Sequence, residues 1–547
     1  MSKKATIAIA LLALFAALFP CAFAQTIVTG EISGTLSDQT GAVVPGGTVT
    51  LKSLANGETK TVTSGKSGEF RFSLLRPGTY SVNANAKGFA QSEKQVEVRL
   101  GQLMDLKIQL GVQTQTQIVE VSEAVSMIQS ENANLATTYD KVQLESLPTG
   151  GMDMTAYAQT TPGVTVSTGG GYGNFTAFGL PGVSNLFTIN GADNMDPYLN
   201  LNNSGASNLT LGSNEISEAA VVLNGYTGQY GRQAGAQVNY VTKSGGNAFH
   251  GNATWLYNER VLNANDWFNN ASETDRPFAV SNGWAWSIGG PIKRNKLFFN
   301  FDHEGLRYVL PGGGPVYIPT ADFSSYVLNN IKVNNAAAAP FYTTALNLYA
   351  GSSGTSRAVP LNKGQDPDLG CGDFSGKAGF GNVAGGKPCA ALFQSTVNSL
   401  NTEWLLATKV DYNINGDHRI FFRYNTDHGV QATGTDAINP AFNANSVQPA
   451  YGGQFGWTGS FGPRVINQLT VAASYYSAIF GPPDIKAASP PSPRRSCSST
   501  ALPSPISVAA ATREAATRFI PRAARFARTR WSMTLRSSQE PKRSSSV

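Results

Sequence analysis

The chain has 547 residues, of which 14% are charged and 10% aromatic, with 57 glycines. Soluble domains carry roughly 25% charged residues, so this composition argues against a helix-rich soluble enzyme and for β structure with long loops. The formal charge of +6 belongs to one end: residues 487–547 hold 11 Lys+Arg and 2 Asp+Glu, a net of +9, leaving −3 for the remainder, which excludes a basic nucleic-acid-binding surface on the body of the chain.

At the N-terminus, Lys3 and Lys4 precede an apolar run from Ala5 to Phe19, and Ala22-Phe23-Ala24 forms a small-x-small site before Gln25. This is the pattern of a secretory signal over residues 1–24, cut between Ala24 and Gln25. An uncleaved anchor is the alternative, but the run is short for a ~30 Å hydrocarbon core. Pro20 before Cys21 is a poor fit to a lipoprotein signal. No later segment reads as a transmembrane helix, so a membrane location has to rest on a closed barrel. Removal of the signal leaves Cys371, Cys389 and Cys497. Export permits disulfides, and we expect Cys371 and Cys389 to close the Gly/Lys/Pro-rich loop between them; reduced cysteines are the alternative.

Residues 26–110 alternate in short runs. Ile32–Asp38 leads to a turn at Thr40-Gly41, Val49 and Leu51 alternate with Thr50 and Lys52, and Ser67-Gly68 and Pro77-Gly78 each precede a further strand. Short strands with Gly/Pro turns predict a small β-sandwich. The segments Gly34–Asp38, Val44–Val49, Gly68–Phe72, Leu75–Tyr80 and Gly88-Phe89 resemble the carboxypeptidase regulatory-like domain. The resemblance implies a transthyretin-like sandwich, grouped with carbohydrate-binding-like folds, and no catalysis.

Residues 111–125 read as a Gln/Thr-rich linker containing a short extended run, Ile118-Val119-Glu120-Val121. This run resembles a TonB box, which would add as a strand to an energy-coupling partner; an ordinary edge strand is the alternative. Residues 126–235 form a mixed α/β, loop-rich unit. Its landmarks are Leu144–Pro148, Thr161–Val164, Phe187–Asn194 and Glu215–Val222. They resemble the plug domain of TonB-dependent receptors, and with Tyr230-Gly231-Arg232 and Val241–Gly245 they are most similar to the Oar-like subgroup.

From 236 to 482 the period is two. Trp255 and Tyr257 oppose Asn252 and Thr254; Phe299 and Phe301 oppose Asn300 and Asp302; Trp404 and Tyr412 oppose Lys409 and Asp411; Phe422 and Tyr424 oppose Arg423 and Asp427. Asn415-Gly416 is a strong hairpin turn. We expect about eight antiparallel strands of a partial outer-membrane barrel, with rings near strand ends. Plugged transporters have roughly 22 strands, so the resemblance covers the signal, sandwich and plug and only the beginning of the barrel. After Pro482 the alternation stops. Residues 483–547 read as a disordered, basic, Ser/Pro/Ala/Arg-rich tail, and 489–547 as translation of a GC-rich gene out of register, which the other reading frames of the DNA test. The fold class is therefore all-β dominated: a sandwich, a plug, a partial barrel and a tail.

The sequence holds little chemistry. His250, His303, His418 and His428 are scattered and fit turn caps or a barrel lumen better than a metal site. Gly381–Lys387 has phosphate-loop spacing, but Pro388 stands where Ser or Thr is required. Asp193, Asn194, Asp196 and Asn202 lack calcium-loop spacing and fit turn capping. No catalytic, cofactor or metal residue is assigned. The Oar-like resemblance implies a receptor or transporter in the outer membrane of a Gram-negative-type cell, which we expect to be incomplete or non-functional as this chain is written. Its partners would be membrane lipid, a TonB-type coupling protein and a carbohydrate, peptide or metal-chelate ligand, with no nucleic acid. Pulling on Ile118–Val121 would displace the plug, and loops such as 311–400 would select the ligand. A surface adhesin carrying a carbohydrate-binding-like domain is the alternative.

Overall fold

The computed structural model describes residues 28–112, 120–121, 135–147, 152–166, 175–196, 200–202, 205–207, 209–224, 231–271, 273, 275–311, 315–351, 355–361, 389–394, 398–434, 436, 443–461, 465–482 and 528–537. The signal, with Ala24 and Gln25, lies outside them, as do Ile118, Val119 and Cys371.

Alternation builds the N-terminal sandwich. Its strands are β1 (Gly30–Asp38), β2 (Thr48–Ser53), β3 (Thr59–Thr63), β4 (Glu69–Leu75), β5 (Gly78–Asn85), β6 (Ser92–Val98) and β7 (Leu103–Leu110), and β8 (Glu120–Val121) follows. One sheet runs β4-β1-β7, the other β3-β2-β5-β6-β8. Every second residue points inward, so Ile32, Leu36, Val49, Leu51, Phe72, Val82 and Ile108 form a closed apolar core. At the first turn the Asp38 carboxylate accepts the Thr40 and Ala42 N–H groups at 2.8 and 2.9 Å, the local bonding that makes Asp a turn residue.

The plug comprises β9 (Leu135–Tyr139), α1 (Lys141–Ser146), α2 (Ala156–Gln159), β10 (Val164–Val166), β11 (Phe175–Ala177), β12 (Leu186–Ile189), β13 (Ala192–Asp193), β14 (Ile216–Asn224) and β15 (Gln237–Thr242). Its main sheet runs β13-β12-β15-β14-β9. Asp140 and Gln143 form a capping box that starts α1, satisfying orphan N–H groups reciprocally. Asn190 and Gly191 have φ of +48° and +81°, as a two-residue hairpin with both central residues left-handed requires. Phe175, Met154, Val221, Val238 and Tyr240 fill the core. One boundary differs from the sequence reading. The barrel was expected from residue 236, yet β15 pairs with β12 and β14 in the plug sheet, because its residues are buried on both faces.

The barrel wall begins with β16 (His250–Glu259). It continues through β17 (Val280–Lys293) and β18 (Leu297–Pro311) and resumes after an inserted unit. The inserted unit contains β19 (Pro315–Pro319), α3 (Ala321–Asn334), α4 (Ala339–Ala350), β20 (Val359–Pro360) and β21 (Ala390–Gln394), with a small core around Ile318, Ala391 and Phe393. The wall strands that follow are β22 (Asn398–Asn413), β23 (His418–Gly434), β24 (Ala444–Val447), β25 (Ala450–Ser460), β26 (Val465–Tyr476), β27 (Ile479–Gly481) and β28 (Arg528–Ser537). All wall pairings are antiparallel. The long path has eight strands, and β24 and β27 make the sheet ten-stranded, close to the expected eight. Of the expected tail, only β28 lies among the described residues. It pairs with β26 from Val465↔Ser537 to Ser474↔Arg528, so this part of the tail is a strand.

The connections alternate in length. At one end, successive wall strands are separated in sequence only by 294–296, 414–417 and 461–464; at the other, by the longer stretches 260–279, 312–397 and 477–527. This asymmetry of short and long connections is the one outer-membrane barrels show.

Candidate functional site: the plug seat in the barrel wall

The two faces of the wall are inverted relative to a soluble protein. Asn300, Asp302, Glu304, Glu403, Lys409, Asp411, Arg423 and Asp427 are buried on the inner face. Trp255, Trp286, Ile288, Trp404, Phe422 and Phe455 are exposed on the outer face, Trp255 by 70% and Phe422 by 52%. A water-soluble fold would leave the rings inside and the charges outside. Here the apolar face is the one turned outward, as lipid requires.

The outer rings are ordered in rows. Trp286, His303, Trp404, His428, Tyr451 and Tyr475 follow one another across the sheet with neighbouring centroids 4.9–6.4 Å apart. His418, Trp457 and Phe461 cluster beside the short turns. Trp457 and Tyr451 are six residues apart on β25, about 20 Å along the strand at ~3.4 Å per residue. Two aromatic levels bounding an apolar band are the girdles of an outer-membrane barrel. This corrects the reading of His303 and His428 as turn caps or lumen residues: their register puts them among the outer rings.

On the inner face the wall grips the plug. The Glu304 carboxylate on β18 accepts the Gly212 and Asn214 backbone N–H groups at 3.0 and 2.6 Å. Glu403 on β22 accepts the Ser207 N–H, and the Tyr308 hydroxyl donates to the Ser207 carbonyl at 3.0 Å. Arg423 on β23 forms a two-pronged ion pair with Glu215, one prong at 2.7 Å, with both residues 3% exposed. Lys409 donates to the Ser244 hydroxyl at 3.0 Å and the Thr242 carbonyl at 3.3 Å. Gln454 on β25 donates to the Ile189 carbonyl at 3.1 Å. Charge-assisted bonds in a buried seam are the strong kind. The cavity among Met154, Glu215, Arg423 and Asp427 measures about 30 Å³.

The sandwich docks at the short-turn end. Arg76, in its β4–β5 turn, pairs with buried Asp411 at 2.9 Å. Arg419 donates to the Leu74 carbonyl at 2.6 Å and lies 3.6 Å from Glu58. Leu74 itself has φ +55°, a strained backbone that presents this carbonyl to the wall. Against the plug, Arg99 pairs with Asp140 at 3.2 Å and the Leu100 N–H donates to Glu218 at 2.9 Å. Burial pushes the Glu218 carboxyl up to about 8, against the pull of the Leu100 N–H. Burial also raises the Tyr240 hydroxyl well above its usual range; it donates to the Met154 carbonyl at 2.9 Å. Burial lowers the Lys243 ammonium, partly offset by Glu145 at 3.8 Å.

Residues 241–518, just over half of the chain, match the outer membrane beta barrel domain family, and residues 31–111 match the carboxypeptidase regulatory-like domain. The chain belongs to the outer membrane beta barrel domain family. Its place is the outer membrane. The TonB-dependent transporter Oar of Myxococcus xanthus is 24% identical over 263 residues, 44% of this chain and 23% of that protein. The chain thus spans about a quarter of that relative's length. Among solved structures, the outer-membrane transporter YddB from Escherichia coli gives a TM-score of 0.40 at 12% identity, covering 64% of this chain and 40% of that one. The alcaligin outer-membrane receptor FauA from Bordetella pertussis gives 0.34 at 12% identity, covering 64% and 40%. These relatives bear transporter and receptor names, and none an enzyme's.

Of the residues singled out in the sequence, Glu120 and Val121 run parallel to β6, with Glu93↔Glu120 and Lys94↔Val121 in register. Cys389 is disulfide-bonded and buried beside Leu361 and Ala390 in the inserted unit; Cys371 lies outside the described residues. Asp193 accepts the Met195 N–H at 3.0 Å and pairs with Arg232, and Asn202 donates to Thr210 at 2.9 Å. These are turn and loop contacts, and no group of three metal-ligating side chains occurs among the described residues. Glu304, Glu403, Arg423 and Glu215 went unassigned in the sequence. The available signal was acidic residues in phase opposite the rings, as in Asp302-His303-Glu304.

Proposed function

We propose that the chain is a TonB-dependent-type outer-membrane receptor that takes up a ligand when an energised partner displaces the plug. The observation that carries this reading is the folded globule seated on the charged inner face, held by Glu304, Glu403 and the Arg423–Glu215 pair. A wall meant only for anchorage has no need of a separately folded filler with its own core. The plug hangs from the linker that contains Ile118–Val121, where a coupling partner would pull by strand addition. The inserted unit of 312–397 stands at the long-loop end, where ligand selection is expected. Cys371 pairing with Cys389 would tie that unit closed. The ligand class stays open among carbohydrate, peptide and metal chelate.

The test is uptake by cells expressing the chain, with labelled oligosaccharide, peptide and ferric-chelate probes, with and without a protonophore. Accumulation that collapses with the proton gradient supports the receptor. Binding that is unaffected by the protonophore and never leads to uptake sinks it and favours the adhesin.

A further inference from the structure

We propose that the loop joining β16 to β17 is a carbohydrate-binding platform at the long-connection end of the wall, with Trp267 and Phe268 as its stacking surface and asparagine amides at its margin. This rests on the receptor reading above and names the ligand class which that reading leaves open. Among the described residues the loop holds a turn over Arg260–Leu262 and a short helix over Trp267–Ala271. Trp267 is 71% exposed and Phe268 73%, and Val261 and Leu262 are exposed beside them. The two rings meet edge to face with centroids 5.0 Å apart. The loop itself holds them in water. The Asp266 carboxylate accepts the Phe268 N–H at 2.8 Å, and the Asn265 amide oxygen accepts the Asp266 N–H at 3.0 Å and the Asn269 amide at 3.2 Å. Asn265 also donates to Asn270 at 2.9 Å, and the Arg276 guanidinium donates to the Asn263 and Arg260 carbonyls at 2.6 and 3.1 Å. Rings ordered in advance meet a ligand at little further cost in conformational entropy, and apolar surface held open in this way marks a contact site.

Position argues against lipid as the partner. Trp286, in the outer ring row, and Val280, at the base of the loop, are six residues apart on β17, about 20 Å along the strand at ~3.4 Å per residue. The loop therefore begins beyond the apolar band. Its charges narrow the choice further. Arg260 and Arg276 are both committed to backbone carbonyls, whereas Asp266, Glu273 and Asp275 are exposed. An anionic chelate or an acidic peptide would meet like charge here. A pyranose ring offers a face of C–H groups to an aromatic ring and a rim of hydroxyls to asparagine amides, which both donate and accept. Rings and amides are what this loop presents.

The full chain in detergent tests this by calorimetry, with maltohexaose, cellohexaose and xylohexaose as neutral probes and hexalysine and ferric citrate as charged ones. We expect at least one hexasaccharide to bind, Trp267→Ala/Phe268→Ala to weaken it at least about tenfold, and Trp267→Phe to weaken it about threefold or less. Both side chains are exposed, so neither variant opens a cavity in a core. Absence of binding by all three hexasaccharides overturns the platform, as does binding that the double variant leaves unchanged. Loop-dependent binding of hexalysine or ferric citrate in place of the sugars overturns the ligand class. Trp267 emission, taken as wild type minus Trp267→Phe, that acrylamide cannot quench in lipid vesicles places the loop in the bilayer and also overturns the platform. Loop-dependent binding of a hexasaccharide that cells never take up supports the platform while failing the receptor reading.

Discussion

Glu304 holds the plug through two backbone amides, so its loss cannot be repaired by repacking neighbouring side chains. Glu304→Ala leaves the Gly212 and Asn214 N–H groups without their acceptor, and we expect the seat to weaken by about 2–4 kcal/mol, seen as faster hydrogen exchange across 209–215. Arg423→Ala differs in kind, because it strands the Glu215 carboxylate in a buried seam. A loss of about 3–5 kcal/mol follows, and Arg423→Met combined with Glu215→Leu should recover part of it in a protease-protection assay of the plug. Glu218 gives the sandwich–plug contact a pH dependence. Its carboxyl is raised in the docked state to about 8 and returns towards its ordinary value of about 4.3 when exposed. The docked state therefore binds more protons, so docking is strongest below that ordinary value and weakens as pH rises towards 8. Exchange of the Leu100 amide should speed up over this window, and Glu218→Gln should flatten the profile.

Each wall strand carries two environments one residue apart, which makes substitution outcomes depend on phase. Phe455 lies on the outer face between the two aromatic levels, so Phe455→Arg should cost about 2–4 kcal/mol of barrel stability, read as loss of heat-modifiable migration in lipid vesicles. Packing within the wall also fixes some glycines, the Trp284 indole lying over Gly305 on the outer face and the Phe421 ring over Gly456 on the inner face, each pair in direct register. The outer face was legible in the sequence because rings recur in phase opposite polar and charged residues over much of β18, β22 and β23, even though Phe298 and Phe421 put rings on the inner face. The sandwich was legible for the same reason, its turns being marked by Asp38, Gly41 and Gly68. The end of the plug was not, because β15 also alternates, and only its pairing with β12 and β14 assigns it. Pairs such as Arg76–Asp411 and Arg423–Glu215 join residues hundreds of positions apart, and no local pattern announces them. The strands and helices described within the insert, over 315–351, 355–361 and 389–394, were hidden by a composition that reads as loop.

The assembled molecule has a polarity: sandwich at the short-turn end, inserted unit at the other, and between them a plug bonded to five wall strands, β16, β18, β22, β23 and β25. Expressed in a Gram-negative-type host, it should fractionate with outer membranes, and protease added to intact cells should cut within the 312–397 unit before it cuts residues 30–110; the reverse order refutes the orientation. Tryptophan is distributed unevenly along this axis. Trp286 and Trp404 stand in one ring row and Trp457 in the other, so the protein contains its own fluorescent depth gauge. Lipids brominated at successive acyl positions should dim these indoles according to their distance from the bilayer centre, and any tilt or sinking of the wall during ligand capture becomes measurable without an added dye.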